Sequence, residues 1–235
     1  MKMNIDLRFG DCIEIMSQMD AECVDMICTD PPYRTVTGGD SGDRPKGMLS
    51  GNRKLFEHQN DIEISAWMPL VFKVLRQGCH AYIFTNSMNL YEMLGEAMRV
   101  GFKLHNILVW EKNNCTPSQF YMKNCEYVLF LRKGKAKWIN NIGTSKTVHK
   151  FNNVIGNKVH PCEKPVDLLR FYIENSTKEN DTVIDPFMGS ASCGTACILS
   201  NRNFIGIEKD KGFFDIASKR IRREREEPHQ QVLGF

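Results

Sequence analysis

Thr29-Asp30-Pro31-Pro32-Tyr33 ends the apolar run Val24–Thr29 and holds the residues best suited to chemistry. Pro31 and Pro32 restrict the backbone and remove two N–H donors, so the carbonyls around them are left free in a fixed direction. A carboxylate and a carbonyl facing one point complement an –NH2 group with two donors. The ring of Tyr33 offers a planar partner a face to stack on. The exocyclic amine of adenine or cytosine is a poor nucleophile, because its lone pair is delocalised into the ring. Accepting both of its hydrogens draws the nitrogen toward a tetrahedral, more electron-rich geometry. Asp30 then stabilises the positive charge that develops during attack. It can also act as a general base, although the proton need not leave before attack. Taken alone, the same tetrapeptide also suits a proline-braced turn.

A second constellation lies near the other end. Val183-Ile184-Asp185 reads as a strand ending in an acid, and Pro186-Phe187-Met188-Gly189-Ser190-Ala191-Ser192 as a small-residue turn opening a helix. Small residues let a ligand approach the backbone closely. Phe204-Ile205-Gly206-Ile207-Glu208 is a strand ending in a second acid about 20 residues on, where a carboxylate can take both hydroxyls of a ribose. The turn lacks G-x-G-x-x-G, and Asp185 would repel a pyrophosphate but could accept from an ammonium. A nucleoside carrying an amino-acid tail satisfies both acids, and S-adenosylmethionine is such a molecule. A generic α/β turn is the alternative.

The elements that must position these residues alternate. Strands are predicted at Val24–Thr29, Ala81–Thr85, Leu104–Trp110, Glu126–Leu131, Thr182–Asp185 and Asn203–Glu208. Helices are predicted from Ser87 to Arg99, Val166 to Asn175, Ala191 to Leu199 and Gly212 to Arg225. Strand, loop and helix in this order are the grammar of a doubly wound α/β sheet. In such sheets ligands bind outside the carboxyl ends of the strands, which is where Asp30, Asp185 and Glu208 fall.

Bulk properties set limits. The 235 residues suit one domain; 42% are apolar and 25% charged, as in soluble globular proteins. A net charge of +3 means that any nucleic-acid surface must be a local patch. Two stretches break the α/β grammar. Residues 34–60 form a long polar connection. Residues 133–159 carry Lys133, Lys135, Lys137, Lys146, Lys150 and Lys158 with Trp138 and Phe151 among them, which suits phosphate contact plus stacking or, equally, a solvated loop. The nine cysteines are odd in number and scattered, so they read as reduced thiols of a cytoplasmic protein. Cys162 near His160 lacks the paired spacing of a zinc site, and no metal is expected. No apolar run is long enough to span a membrane.

Asp30-Pro31-Pro32-Tyr33, His160-Pro161-Cys162-Glu163-Lys164-Pro165 and Asp185-Pro186-Phe187-Met188-Gly189-Ser190-Ala191 resemble, in this order, the motifs of the amino-group DNA methyltransferases of the beta class. The resemblance runs from about Asp6 to Arg220. It implies a single α/β domain, doubly wound, with the mostly parallel sheet of S-adenosylmethionine-dependent methyltransferases. It implies transfer of a methyl group to an exocyclic amine in DNA, with the base flipped out of the duplex. Asp30, Pro31, Pro32 and Tyr33 would be catalytic. The cofactor would be held by Asp11, Cys12, Asp30, Lys164, Pro165, Asp185, Phe187, Gly189, Ser190, Ala191, Ser192 and Glu208. Within these, Gly10-Asp11-Cys12 is similar to the segment beside the cofactor's adenine, and Lys164-Pro165 to the one lining its methionine end. DNA would be contacted by a mobile loop at 34–60, through Arg34, Lys46, Arg53 and Lys54, and by a short target-recognition insertion at 133–159, through Lys133, Lys135 and Lys137. The family usually has Gly at the position of Ala191 and Thr-Thr at Ser192-Cys193, so a left-handed backbone at Ala191 would cost about 1 kcal/mol.

Asp before Pro-Pro favours adenine N6 by this resemblance. The alternatives are cytosine N4 in DNA, adenine in RNA, a protein glutamine amide, or a nucleic-acid-binding protein that has lost catalysis. A homodimer is compatible with the sequence, and nothing in it points to a membrane.

Overall fold

A computed structural model describes residues 3–32, 62–116, 120–154 and 163–226. Its strands are β1 (Ile5–Phe9), β2 (Val24–Thr29), β3 (Leu75–Thr85), β4 (Lys103–Thr116), β5 (Lys123–Arg132), β6 (Val148–Lys150), β7 (Thr182–Asp185) and β8 (Asn203–Glu208). They form one sheet in the order β1-β8-β7-β2-β3-β5-β4-β6. All pairings are parallel except those of β5, which runs against β3 and β4. The helices are α1 (Cys12–Gln18), α2 (Ile64–Val74), α3 (Leu90–Arg99), α4 (Val166–Ser176), α5 (Ser192–Leu199) and α6 (Lys211–Glu226).

The sheet is buried on both faces, and its sequence shows why. Along β2, Met26 and Cys28 point into one apolar cluster while Val24 and Ile27 point into the other. Along β3, Tyr82 and Phe84 alternate in the same way with Ala81 and Ile83. Strands without a polar face need helices on both sides. Leu168, Leu169 and Tyr172 of α4, Ala196 of α5 and Ile221 of α6 cover the first face. Met16 of α1, Trp67 and Val71 of α2 and Met93 of α3 cover the second. Gly194 lets α5 sit close to the sheet, because a Cβ there would come within 2.8–3.0 Å of Ile221 and Phe204.

From the β7–β2 boundary the chain runs outward from β7 to β8 on one side and from β2 to β3 on the other, with the N-terminal β1 lying beyond β8. That boundary is the switch point at which ligands of open α/β sheets bind. The elements differ from the sequence expectations in a few places. β3 begins at Leu75 rather than Ala81, and β4 continues past Trp110 to Thr116. α3 begins only at Leu90, because the Asn86 side chain first accepts from the backbone N–H groups of Met88 and Asn89. Among the described residues, no helix is long and apolar enough to cross a membrane.

Candidate active site

The parallel strands end in a row of acids. Gly10 N–H donates to the Glu208 carbonyl at 3.0 Å, so the β1 end lies beside the β8 end. Glu208 is followed across the sheet by Asp185 at the end of β7 and by Asp30 just after β2. Glu208 and Asp30 are thus two strand spacings apart, about 10 Å. An extended ligand lying across this row would meet each acid in turn.

The Asp30 turn is held from two sides. Thr29 Oγ1 donates to Asp185 Oδ1 at 2.6 Å, joining the end of β2 to the end of β7. Pro31 is buried against the fold and Pro32 partly so. Asp30 Oδ2 accepts from the Lys164 ammonium, whereas Asp30 Oδ1 is buried and has no hydrogen-bond partner among the described residues. A buried orphan acceptor carries a desolvation penalty of about 1–3 kcal/mol, so this atom fits a site that a donor from outside completes. Burial raises the Asp30 carboxyl above its ordinary range and Glu126 adds to the rise, against the pull of Lys164.

Asp185 Oδ1 also accepts from Phe187 N–H at 3.1 Å, and burial pushes this carboxyl up to about 7 against those two hydrogen bonds. Phe187 packs edge-on against Trp67 with ring centroids 5.4 Å apart. The turn then rises over the sheet end. Gly189 has φ 51°, and its N–H donates to Glu208 Oε2 at 3.0 Å. Glu208 Oε1 accepts from Asp210 N–H at 2.8 Å. Each oxygen keeps a second lone pair, so the carboxylate is aimed by the backbone and can still accept from hydroxyls. Burial raises Glu208, opposed by those two N–H donors. Ser190 and Ser192 are buried beside it, and Arg220 reaches in from α6. Its Nη1 donates to Glu163 at 2.6 Å and to Ser192 Oγ at 3.2 Å, so one guanidinium ties the turn before α5 to the Glu163-Lys164-Pro165 segment. Pro165 caps α4.

Ala191 precedes α5 at φ 59° and ψ 38°, in the left-handed region, and is fully buried. The departure from glycine noted in the sequence therefore falls at a strained position. Ala191→Gly should relieve up to about 1 kcal/mol, partly offset by the lost methyl contacts. The expected result is a melting temperature higher by roughly 2–4 °C and cofactor binding tightened severalfold, read by thermal melts and calorimetry.

Asp11 and Cys12 reach the site end beside Glu208, but each also has a structural role. Asp11 Oδ1 caps α1 by accepting from Ile13 N–H at 2.7 Å. Cys12 is buried, and burial pushes its thiol up to about 12. Tyr33, Arg34, Lys46, Arg53 and Lys54, with the expected loop at 34–60, lie outside the described residues, as do Lys158, His160 and Cys162.

The lysines expected to bind DNA need correcting. Lys133 is 4% exposed, and its ammonium donates to the carbonyls of Phe72 at 2.8 Å and Leu75 at 2.6 Å. It also lies 3.3 Å from Glu22 and over the Phe72 ring. Lys133 thus caps the C-terminus of α2 and is not a phosphate contact. Lys135 and Lys137 are exposed but stand at the wrong end of the sheet. β5 runs away from the site, pairing Tyr127 with Thr85 and Arg132 with His80, and Lys137 N–H donates to the Gly78 carbonyl at 2.8 Å. Lys133→Met should lower stability by about 1–3 kcal/mol, leaving two carbonyls unpaired, while the salt dependence of DNA binding stays as in the wild type. A flattened salt slope in this variant would restore the lysine to the DNA interface.

Sequence reasoning missed two features at the site end. Glu126 of β5 and Lys112 of β4 join the Asp30–Lys164 pair. The β4–β5 hairpin also continues past the end of β3, from Trp110–Glu126 to Thr116–Lys123, and exposes Phe120, Tyr121 and Met122 at its tip. A single Glu opening an apolar run carries no signal of the first feature.

The Type II methyltransferase M2.DpnII of Streptococcus pneumoniae is 29% identical over 250 aligned residues, covering 96% of this chain and 92% of that protein. M.HinfI of Haemophilus influenzae is 26% identical, covering 95% of this chain and 70% of its own length. The crystal structure of the M1.HpyAVI–SAM complex superposes with a TM-score of 0.69 at 27% identity, over 92% of this chain and 99% of that one. The cytosine-N4-specific PvuII methyltransferase shares the fold, with a TM-score of 0.74 at 18% identity over 92% of this chain and 86% of its own. The DNA methylase family matches residues 24–219, from β2 into α6, so the chain belongs to the DNA methylase family.

Proposed function

We propose that this protein transfers the methyl group of S-adenosylmethionine to N6 of adenine in DNA, with Asp30 as the acceptor that activates the amine. The observation that carries the reading is the buried Asp30 Oδ1 at the switch point of the sheet, which has no partner among the described residues. The residues present fit the cofactor. Glu208, aimed by Gly189 and Asp210, would accept from the ribose hydroxyls. Asp185 and Lys164 supply opposite charges for an ammonium and a carboxylate, and the turn from Phe187 to Ser192 gives close backbone approach. When bound, the cofactor supplies an electrophilic methyl on a positively charged sulfur. A Type II methyltransferase among the relatives and a SAM complex among the similar structures support the same reading.

The chain's own groups do the rest. Asp30 and the carbonyls released by Pro31 and Pro32 accept from the two N–H bonds of the target amine, and Asp30 offsets the charge that forms on nitrogen. After transfer the amine must lose one proton, and Asp30 is placed to receive it. Tyr33 would offer its ring to the base for stacking. The amine is out of reach inside a duplex, so the base is flipped. The exposed tip Phe120-Tyr121-Met122, at the same end of the sheet, suits contact with unstacked bases, since aromatic faces stack on any base. Arg34, Lys46, Arg53 and Lys54 would contact phosphates. The reading places the enzyme in the cytoplasm as one methyltransferase domain, alone or as a homodimer, which sedimentation distinguishes.

The test offers labelled S-adenosylmethionine with unmodified duplex DNA, single-stranded RNA and total protein in parallel. Label in DNA alone is expected. Label confined to RNA or protein would overturn the reading.

A further inference from the structure

Four charged side chains from four parts of the chain meet at the site end of the sheet. Lys164, just before α4, gives its ammonium to Asp30 Oδ2 and lies 3.3 Å from Glu126 Oε2. Lys112 on β4 donates to Glu126 Oε1. All four side chains are under 20% exposed. Two acids and two bases leave no net charge, which makes such a buried cluster tolerable. Two aromatic rings limit where the ammoniums can sit. Lys164 lies 5.3 Å from the centre of the Phe84 ring and Lys112 4.9 Å from that of Trp110.

The arrangement changes what Asp30 can do. A carboxylate closed into a private pair with one ammonium is a poor acceptor for anything else. Here the Lys164 ammonium is shared with a second carboxylate, and one Asp30 oxygen has no partner among the described residues. We propose that Glu126 and Lys112 are positioning residues for methyl transfer, which hold the Lys164 ammonium between two carboxylates and thereby set the orientation and charge of Asp30 toward the target amine. This rests on the role given to Asp30 above.

The two residues act on Asp30 with opposite signs. Glu126 raises its proton affinity and Lys112 lowers it. Among the described residues, the other titratable groups that feel Asp30 are Asp185 on β7 and Cys28 on β2, and neither changes in the variants below. Methyl transfer requires the Asp30 carboxylate, so its rate is lost as pH falls through the Asp30 titration.

The experiment measures single-turnover methyl transfer to duplex DNA at saturating S-adenosylmethionine across pH, for wild type, Glu126→Gln and Lys112→Gln. Both variants should be slower, Glu126→Gln by at least about tenfold, with cofactor Kd within about threefold of wild type. The acid limb should move to lower pH in Glu126→Gln, where a repelling carboxylate is gone. It should move to higher pH in Lys112→Gln, where a stabilising ammonium is gone. A merely structural role would not move the two limbs in opposite directions. If Glu126→Gln fails to fold, the upward shift in Lys112→Gln decides. Unmoved limbs, or shifts of the same sign, overturn the proposal. Asp30→Asn is measured alongside. Full activity there would remove the reading of Asp30 itself, whereas an inactive Asp30→Asn with unshifted limbs in the other two variants removes only the coupling.

Discussion

Asp30→Asn should lose at least a hundredfold in the rate of methyl transfer, with S-adenosylmethionine binding largely kept. The substitution preserves shape but removes the charge opposite the developing cation, an interaction worth about 3 kcal/mol or more in the transition state. Lys164 stays satisfied by Glu126 at 3.3 Å, so the fold should survive. Single-turnover kinetics with bound cofactor isolate the effect from binding. A variant within threefold of the wild-type rate would remove Asp30 from the chemistry. The wild-type rate should also fall toward acid pH, because burial raises the Asp30 carboxyl and protonation abolishes its acceptor role.

Glu208→Ala should weaken S-adenosylmethionine binding by roughly 30- to 150-fold, or about 2–3 kcal/mol, the worth of a charged group accepting from two hydroxyls. Part of the loss is indirect, because Glu208 also accepts from Gly189 N–H and so holds the turn down. Glu208→Gln keeps an oxygen for that N–H and should lose less. Calorimetric titration reads both variants, and melting curves without cofactor report on the fold. An unchanged Kd in Glu208→Ala would move the ribose elsewhere.

The strands that carry the acids were legible in the sequence because little else competes at those positions. Thr182–Asp185 and Asn203–Glu208 are short apolar runs closed by an acid, and both have the bounds that the pattern gives. α4 ends one residue beyond its predicted end. α2 was not legible, since Pro69 sits inside it and breaks the helical reading, while burial of Trp67, Met68 and Val71 holds it in place. The first four residues of β3, Leu75 to Gly78, include the exposed Arg76 and Gln77 and give no apolar run. Composition found a basic, aromatic stretch at 133–159 but could not tell which end of the sheet it joins. β5 runs antiparallel, so the stretch leaves from the far end, and among its described residues only Val148–Lys150 returns to the sheet, beside Val109–Glu111. The Asp30 cluster was half visible. Lys164 stands in a motif, but its second carboxylate comes from β5, 38 positions earlier, and only the pairing of β5 with β3 brings it there.

The most direct measurement is the identity of the methylated nucleoside. Unmodified duplex DNA is incubated with the protein and labelled S-adenosylmethionine, digested to nucleosides and separated. The label should co-migrate with N6-methyldeoxyadenosine and vanish with Asp30→Asn. Label on N4-methyldeoxycytidine, or label on adenine that persists undiminished in Asp30→Asn, would contradict the account.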